Sequence, residues 1–385
     1  MTTRSGGLLV SIVALLTVGT PTSVVAAQAS PQPPPEKRVR SDQWHLRFLR
    51  VTDAHRISQG DGVTVAVPDT GVAPHPDLIG NLLAGRDLIP GGSGDGRQDK
   101  DSHGTSMAGL IAAHGREPGS GALGIAPKAK VLPIRTKLVN DHGDTEDLAA
   151  AVEWATSQGA DVISISAVAG ASPRLQRAVR SALQANIVIV AAAGNSPEDL
   201  NVGYPASEEG VIGVGGVDHL GEHATISVRG AKIDVAAPAV DIYSTSYGAK
   251  YSKGTGTSSA TAIVAGAAAL IRSKYPHLPA AEVAHRLTAT AVDKGPPGRD
   301  DEYGYGVIDL VAALTADVPP LGFESSTVTP PPDGAAPTVP AGGDGDDAAT
   351  ARGLVTLGVI AAAGGGYLIW RRRRRADDPP PRISR

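Results

Sequence analysis

The stretch "IVIVAAAGN", residues 187–195, decides the fold. Ile187 to Ala193 is apolar without alternation, so neither face of a strand here is written for water. The run stops at Gly194-Asn195, where the chain must turn. Just upstream, "SPRLQRAVRSALQAN" (172–186) has helical spacing, with Ser172 as N-cap and Pro173 at the first helical position. The same alternation extends toward the N-terminus. "GVTVAV" (62–67), "AKVLPIRT" (129–136) and "ADVISISAV" (160–168) read as strands. "HGTSMAGLIAAH" (103–114) and "DTEDLAAAVEWATSQG" (144–159) read as helices, the second with Asp144 as N-cap and Gly159 as stop signal. Apolar strands joined by helices predict an α/β fold with a mostly parallel central sheet covered by helices on both faces. Sites in such sheets collect outside the carboxyl ends of the strands. That directs attention to Asp69 and Asn195.

Composition fits this reading. Only 3% of the 385 residues are aromatic, so the core must be built from small aliphatic side chains at close backbone spacing. With no cysteine, disulfides, thiolate metal sites and cysteine nucleophiles are excluded. The formal net charge of −4 hides an asymmetry. A tail of +5 and a leader of +1 leave a body of −10. An acidic body lacks the basic stripe that nucleic-acid binding requires, so no nucleic-acid partner is expected.

The two ends read as addresses. Residues 1–29 have one basic residue, Arg4, an apolar run from Leu8 and a small-x-small site at Ala27-Gln28-Ala29, the pattern of a signal peptide. Residues 30–50 form an N-terminal extension and 51–316 the main domain. Residues 317–352, rich in Pro, Gly and Asp, read as a linker. The uncharged segment 353–370 would span about 27 Å as a helix, enough for a hydrocarbon core. Tyr367 and Trp370 stand at interfacial positions, and the arginines of the 371–385 tail form a stop-transfer block. The expected placement is a single-pass membrane protein with its domain on the extracellular side.

Hydrolysis at a peptide carbonyl needs a nucleophile, a base, a carboxylate to hold the base and donors for the oxyanion. Each has a candidate. Asp69 in "VPDTG" lies at a strand end; taken alone it reads as a turn residue before it reads as a catalytic one. His103 opens a helix of small residues, whereas His75 in "APHPD" reads as a turn residue. The Asn195 amide can donate to an oxyanion, or simply turn the chain. Ser258 in "GTGTSSATAIVAG" (254–266) starts a helix, where its backbone N–H lacks an intrahelical partner; alternatively, Thr257 or Ser258 only caps that helix. Ser259 lies about 100° further round and is expected to point elsewhere.

Together, "DTG", "HGT", "AAAGN" and "GTS", in that order, resemble the subtilisin-like serine peptidases, from roughly Trp44 to Leu314. The resemblance implies a three-layer subtilisin-like fold. It implies that Asp69, His103 and Ser258 form a triad, with Asn195 and Ser258 at the oxyanion hole. It implies that Ala192, Ala193 and Gly194 line the first specificity pocket, and that Ser166, Ala167 and Val168 pair with an extended peptide or protein substrate. The lead-in, linker, single span and Arg tail resemble the membrane-anchored mycosins, which implies type VII secretion components as partners. A catalytically weak or inactive scaffold for a secretion complex is the alternative. A lipase or esterase is disfavoured, because "GTSSA" is not G-x-S-x-G.

This chain departs from the family pattern at several positions. Ser259, Ala262 and Ile263 replace Met, Pro and His, and Ser102 stands where Gly precedes the histidine. Pro68 removes a donor from a strand. Val168 puts a Cβ where Gly leaves room, which narrows the first pocket toward small side chains. Mycosins usually carry cysteines, and this chain has none. No folded inhibitory prodomain fits before the domain, so residues 30 to 50 are expected to pack along it. Calcium is common in the family, but Asp95, Asp99 and Asp101 match no defined calcium loop and read as an acidic, solvated loop, so no cofactor is expected.

Overall fold

In the computed structural model the described residues are 1–2 and 34–322, apart from 90, 91, 93, 137, 140 and 141. Residues 34–322 fall within one compact unit, Met1–Ser325. The signal peptide from residue 3, most of the linker, segment 353–370 and the Arg tail lie outside the described residues. Among the described residues no helix is long and apolar enough to cross a membrane.

The helices are α1 (Pro35–Asp42), α2 (Trp44–Phe48), α3 (Val51–His55), α4 (His103–Ala112), α5 (Thr145–Ser157), α6 (Pro173–Gln184), α7 (Thr257–Lys274), α8 (Ala280–Ala289) and α9 (Leu310–Thr315). The strands are β1 (Thr64–Asp69), β2 (Arg86–Asp87), β3 (Lys130–Arg135), β4 (Leu138–Val139), β5 (His142–Gly143), β6 (Val162–Ile165), β7 (Val188–Ala192), β8 (Ile212–Val217), β9 (Val235–Pro238), β10 (Ile242–Ser246) and β11 (Lys250–Gly254). Seven of them form one parallel sheet in the order β2-β3-β1-β6-β7-β8-β9. β10 and β11 form an antiparallel hairpin that leads into α7.

The apolar runs bury both faces with period two. Val65, Val67, Val188 and Val190 face one core with α4 and α7, while Ala66, Ile163, Ile165 and Ile189 face the other with α5 and α6. The helix starts follow the sequence signals. Asp144 accepts from the N–H groups of Glu146 and Asp147, and Ser172 accepts from that of Leu175. α7 is buried from Thr257 to Arg272, which its small residues allow. Ile263 is fully buried, and truncating it to Ala would cost about 2–5 kcal/mol. Pro68 pairs with Ile134 on the β3 side, while pairing with β6 covers Val65 and Ala66 and stops short of it.

Residues 34–50 pack along the domain. Gln43 is fully buried; its Nε2 donates to the Leu123 and Tyr243 carbonyls (3.0 and 3.2 Å), and its Oε1 accepts from the Leu123 N–H (2.9 Å). Trp44 donates to the Val240 carbonyl (3.0 Å) and stacks on His219. His75 starts a turn, as its sequence suggested, yet is wholly buried, with its Nε2 against the Lys250 carbonyl (3.0 Å).

The connections set the location of the site. From β1 the chain runs through α4 to β3 on one side, then through α5 to β6 on the other. This reversal opens a crevice at the carboxyl ends of β1 and β6. Asp69 ends β1, Ser166 follows β6, and Asn195 follows β7.

Candidate active site

One half of the site is built at the end of β1 and the start of α4. His103 Nδ1–H donates to Asp69 Oδ1 at 2.8 Å, with Oδ2 at 3.0 Å. A carboxylate can only accept, so Nδ1 carries the proton, and in its neutral form the ring presents Nε2 as its acceptor. The Thr70 N–H also donates to Asp69 Oδ1, at 2.7 Å. The Asp69 side chain is 1% exposed and that of His103 17%, with the His103 Nε2 atom itself buried. Gly104 makes this approach possible. A Cβ there would meet the Gly71 carbonyl oxygen at 2.1 Å and Asp69 Oδ1 at 3.0 Å. The Gly of "HGT" is therefore dictated by contact.

The other half gathers the ends of β6 and β7 around the start of α7. Asn195 Oδ1 accepts from the Thr257 N–H (2.9 Å) and the Thr257 hydroxyl (3.1 Å). With Oδ1 held by two donors, Nδ2 is the end of the amide left to donate. It sits 3.2 Å from where a Cβ on Gly256 would be. The start of α7 is thus capped from outside by Asn195, and by neither Thr257 nor Ser258. Ser258, the second residue of the helix, is 6% exposed. Its hydroxyl donates to the Ser166 carbonyl (3.0 Å), and the Ser166 hydroxyl donates back to the Ser258 carbonyl (3.1 Å). A hydroxyl has one proton, and Ser258 gives it to Ser166 here. The sequence suggested His103 as its partner.

Both halves open on one cleft of about 210 Å³, lined by His103, Met107, Ser252, Gly256, Ser258 and Ser259. Ser259 also lines this cleft, but its hydroxyl lies near Gly254, 4.0 Å from where a Cβ there would be, while that of Ser258 meets Ser166, so the two point apart as expected. Between the end of β6 and the end of β7 lies the gap that the sequence assigned to a specificity pocket. The Gly203 N–H donates to the Ala193 carbonyl (2.9 Å), and the Ala169 N–H donates to the Tyr204 carbonyl (2.9 Å), so segment 203–204 closes this gap. Val168 lies over Gly203: a Cβ built on Gly203 would meet Val168 Cγ1 at 2.3 Å. Ala192 is 2% exposed, and the Ala193 methyl packs with Val228 and Ile233, so at 193 only the backbone can line the gap. Ala167 is buried at 3% exposure, and Gly194 takes φ +121° where the chain leaves the strand.

In the acidic loop before His103, Asp95 and Asp101 are exposed, as the sequence reading expected, and Asp99 is not. Asp99 is 6% exposed, and both its oxygens accept N–H or O–H donors. Asp101 Oδ1 accepts from the His103 N–H (3.3 Å), and Asp95 Oδ1 from that of Arg97 (3.1 Å). These oxygens accept from the protein's own N–H and O–H groups. Sequence reasoning gave Thr70, Thr105 and Gly203 no role, took Thr257 only as a possible cap and read Asp99 as solvated. The three threonines stand inside the quoted motifs, whereas Asp99 and Gly203 carry no such signal.

The comparisons with known proteins agree with one another. The model of the subtilase family matches residues 60–306. Subtilisin DY of Bacillus licheniformis is 40% identical over 260 residues, covering 66% of this chain and 92% of the relative. Subtilisin Savinase of Lederbergia lenta is 36% identical over 277 residues, covering 71% of this chain and 99% of the relative. Among solved structures, MycP1 from the ESX-1 type VII secretion system superposes with a TM-score of 0.65 at 31% identity, covering 72% of this chain and 86% of that one.

Proposed function

The chain belongs to the subtilase family of serine peptidases, and we propose that it is an endopeptidase held at the outer face of a membrane, with Asp69, His103 and Ser258 as its triad. The observation that carries this reading is the 2.8 Å Asp69–His103 bond on the cleft that Ser258 also lines. On this reading the Ser258 hydroxyl turns from Ser166 to His103 Nε2. Its Oγ attacks the scissile carbonyl carbon while its proton passes to Nε2. The Asn195 amide and the Ser258 N–H stabilise the oxyanion. The imidazolium, held by Asp69, then protonates the leaving amine, and the acyl-enzyme forms. Water repeats the steps and frees the second product.

The same reading assigns the specificity. With Val168 over Gly203, the first pocket takes a small side chain before the scissile bond. The uncharged segment 353–370 and the arginines after it support a single-span anchor. The likeness to MycP1, which comes from a type VII secretion system, supports work beside such a machine. A second reading, a weakly active scaffold, is favoured by the Ser258 proton being given to Ser166. A fluorophosphonate probe on the full chain at neutral pH separates the two. Labelling of wild type but not Ser258→Ala supports the peptidase; an unlabelled, folded wild type supports the scaffold.

A further inference from the structure

We propose that Asp99 is a positioning residue that holds His103 against Asp69; the catalytic part of this inference rests on the peptidase reading above. Asp99 Oδ1 accepts from the Thr70 hydroxyl (3.0 Å) and from the N–H groups of Asp101 (2.9 Å) and Ser102 (3.0 Å). Oδ2 accepts from the Thr105 N–H (3.0 Å) and the Thr105 hydroxyl (2.6 Å). Every one of these donors lies within two residues of Asp69 or His103. The carboxylate therefore joins the segment after β1 to the segment that starts α4.

Two threonines extend the join. The Thr70 hydroxyl oxygen accepts from the Gly104 N–H (2.9 Å), and the Thr105 hydroxyl oxygen accepts from the Ala73 N–H (2.9 Å). Gly104 is thus tied to Asp99 through Thr70, and the residue after β1 is tied to the one after the histidine. This gives "DTG" and "HGT" a shared reason for their threonines. Ser102 adds a further demand. Its φ is +96°, a left-handed conformation that a side chain with a Cβ disfavours. Such a conformation persists only where the surroundings over-determine it. Asp99 holds the Ser102 N–H, and the Ser246 hydroxyl donates to the Ser102 hydroxyl oxygen (2.9 Å). Without Asp99, the turn that delivers His103 would lose its main anchor, and the ring would leave its alignment.

The test compares Asp99→Asn, Thr70→Val and Thr70→Ser in the full chain. In Asp99→Asn an NH2 group meets donors, so the hub is broken at nearly constant volume. We expect kcat to fall about 10–100-fold with KM within about threefold of wild type, because a misplaced base affects the transition state and leaves substrate binding alone. The NMR resonance of the His103 Nδ1–H, which needs no turnover, should shift or broaden. Thr70→Ser should stay within about threefold of wild-type kcat and Thr70→Val should fall like Asp99→Asn. A folded Asp99→Asn with wild-type kcat and an unmoved resonance overturns the proposal. If Asp99→Asn does not fold, the threonine pair decides, and Thr70→Val at wild-type activity overturns it. If wild type itself shows no turnover, the peptidase reading fails, and the resonance alone decides whether Asp99 positions the ring.

Discussion

The two halves of the site are assembled differently. The Asp69–His103 half is finished at rest: its hydrogen bond is short, Asp69 is buried, and Asp99, Thr70 and Thr105 brace it from both sides. The Ser258 half is ordered but pointed elsewhere, because its hydroxyl proton goes to Ser166. One half is knit from two nearby segments, 69–73 and 99–105. The other gathers residues 166, 194–195 and 257–258 from three elements. A base must keep its geometry through the whole reaction, so a rigid brace suits it. A nucleophile must move its proton, so a hydroxyl held by one weak, exchangeable bond suits it.

The largest expected effects test whether these halves act as one unit. Ser258→Ala should lower kcat about a millionfold, and Asp69→Asn about ten-thousandfold. If the halves share one proton transfer, as proposed, the double variant should be no worse than Ser258→Ala alone. Losses that multiply in steady-state turnover of one peptide would break the comparison. Next in size is Asn195→Ala, with an expected loss of about 100- to 1,000-fold in kcat and little change in KM. A loss confined to KM would remove Asn195 from oxyanion stabilisation and leave it as the clamp on Thr257.

The contrast between the halves also explains what could be read in advance. The central sheet was legible because its strands are apolar on both faces, which leaves few alternatives. Asp69 and His103 were legible as positions because each stands at an element boundary inside a short local pattern. Asp99 was not. A carboxylate in "DKDSHGT" looks solvated, and only the fold turns it inward to five donors. The β10–β11 hairpin was equally hidden. Its Ser244 and Thr245 are buried but polar, donating to the Ser106 and Thr105 carbonyls (2.8 and 2.7 Å), so no apolar alternation marks it. The direction of the Ser258 hydroxyl had no sequence signal either, because its acceptor, the Ser166 carbonyl, is brought to it only by the fold.

A smaller effect tests whether the second half sets the selectivity proposed for this chain. Val168→Gly should open the space over Gly203. We expect kcat/KM for a peptide with Phe before the scissile bond to rise about 10- to 100-fold relative to the same peptide with Ala. Reading the ratio cancels any general loss from the added glycine. An unchanged ratio would mean that the side chain of the substrate enters elsewhere.

The smallest effect asks which half loosens first in acid. His45 is wholly buried, and neither ring nitrogen has a hydrogen-bond partner among the described residues. Burial pushes its pKa down to about 3. Burial also lowers His55 and His75, against the opposing hydrogen bonds to the Ile125 and Lys250 carbonyls. The unfolded chain takes up these protons near the ordinary histidine range and the folded chain does not. Stability is therefore full above about pH 6.5 and falls as pH drops below it, by about 2 kcal/mol from His45 alone at pH 5. His75 holds Lys250 of the hairpin that leads to Ser258, and His45 is two residues along the chain from Gln43, which holds Tyr243 of the same hairpin. Between pH 7.5 and pH 5, amide exchange should rise in α2 and β10–β11 before it rises in α4. His45→Leu should remove about 2 kcal/mol of the stability difference between the two pH values in urea titrations, whatever it does to stability at either one. If α4 opened first, the brace around Asp99 would be the softer half, and the contrast drawn above would be reversed.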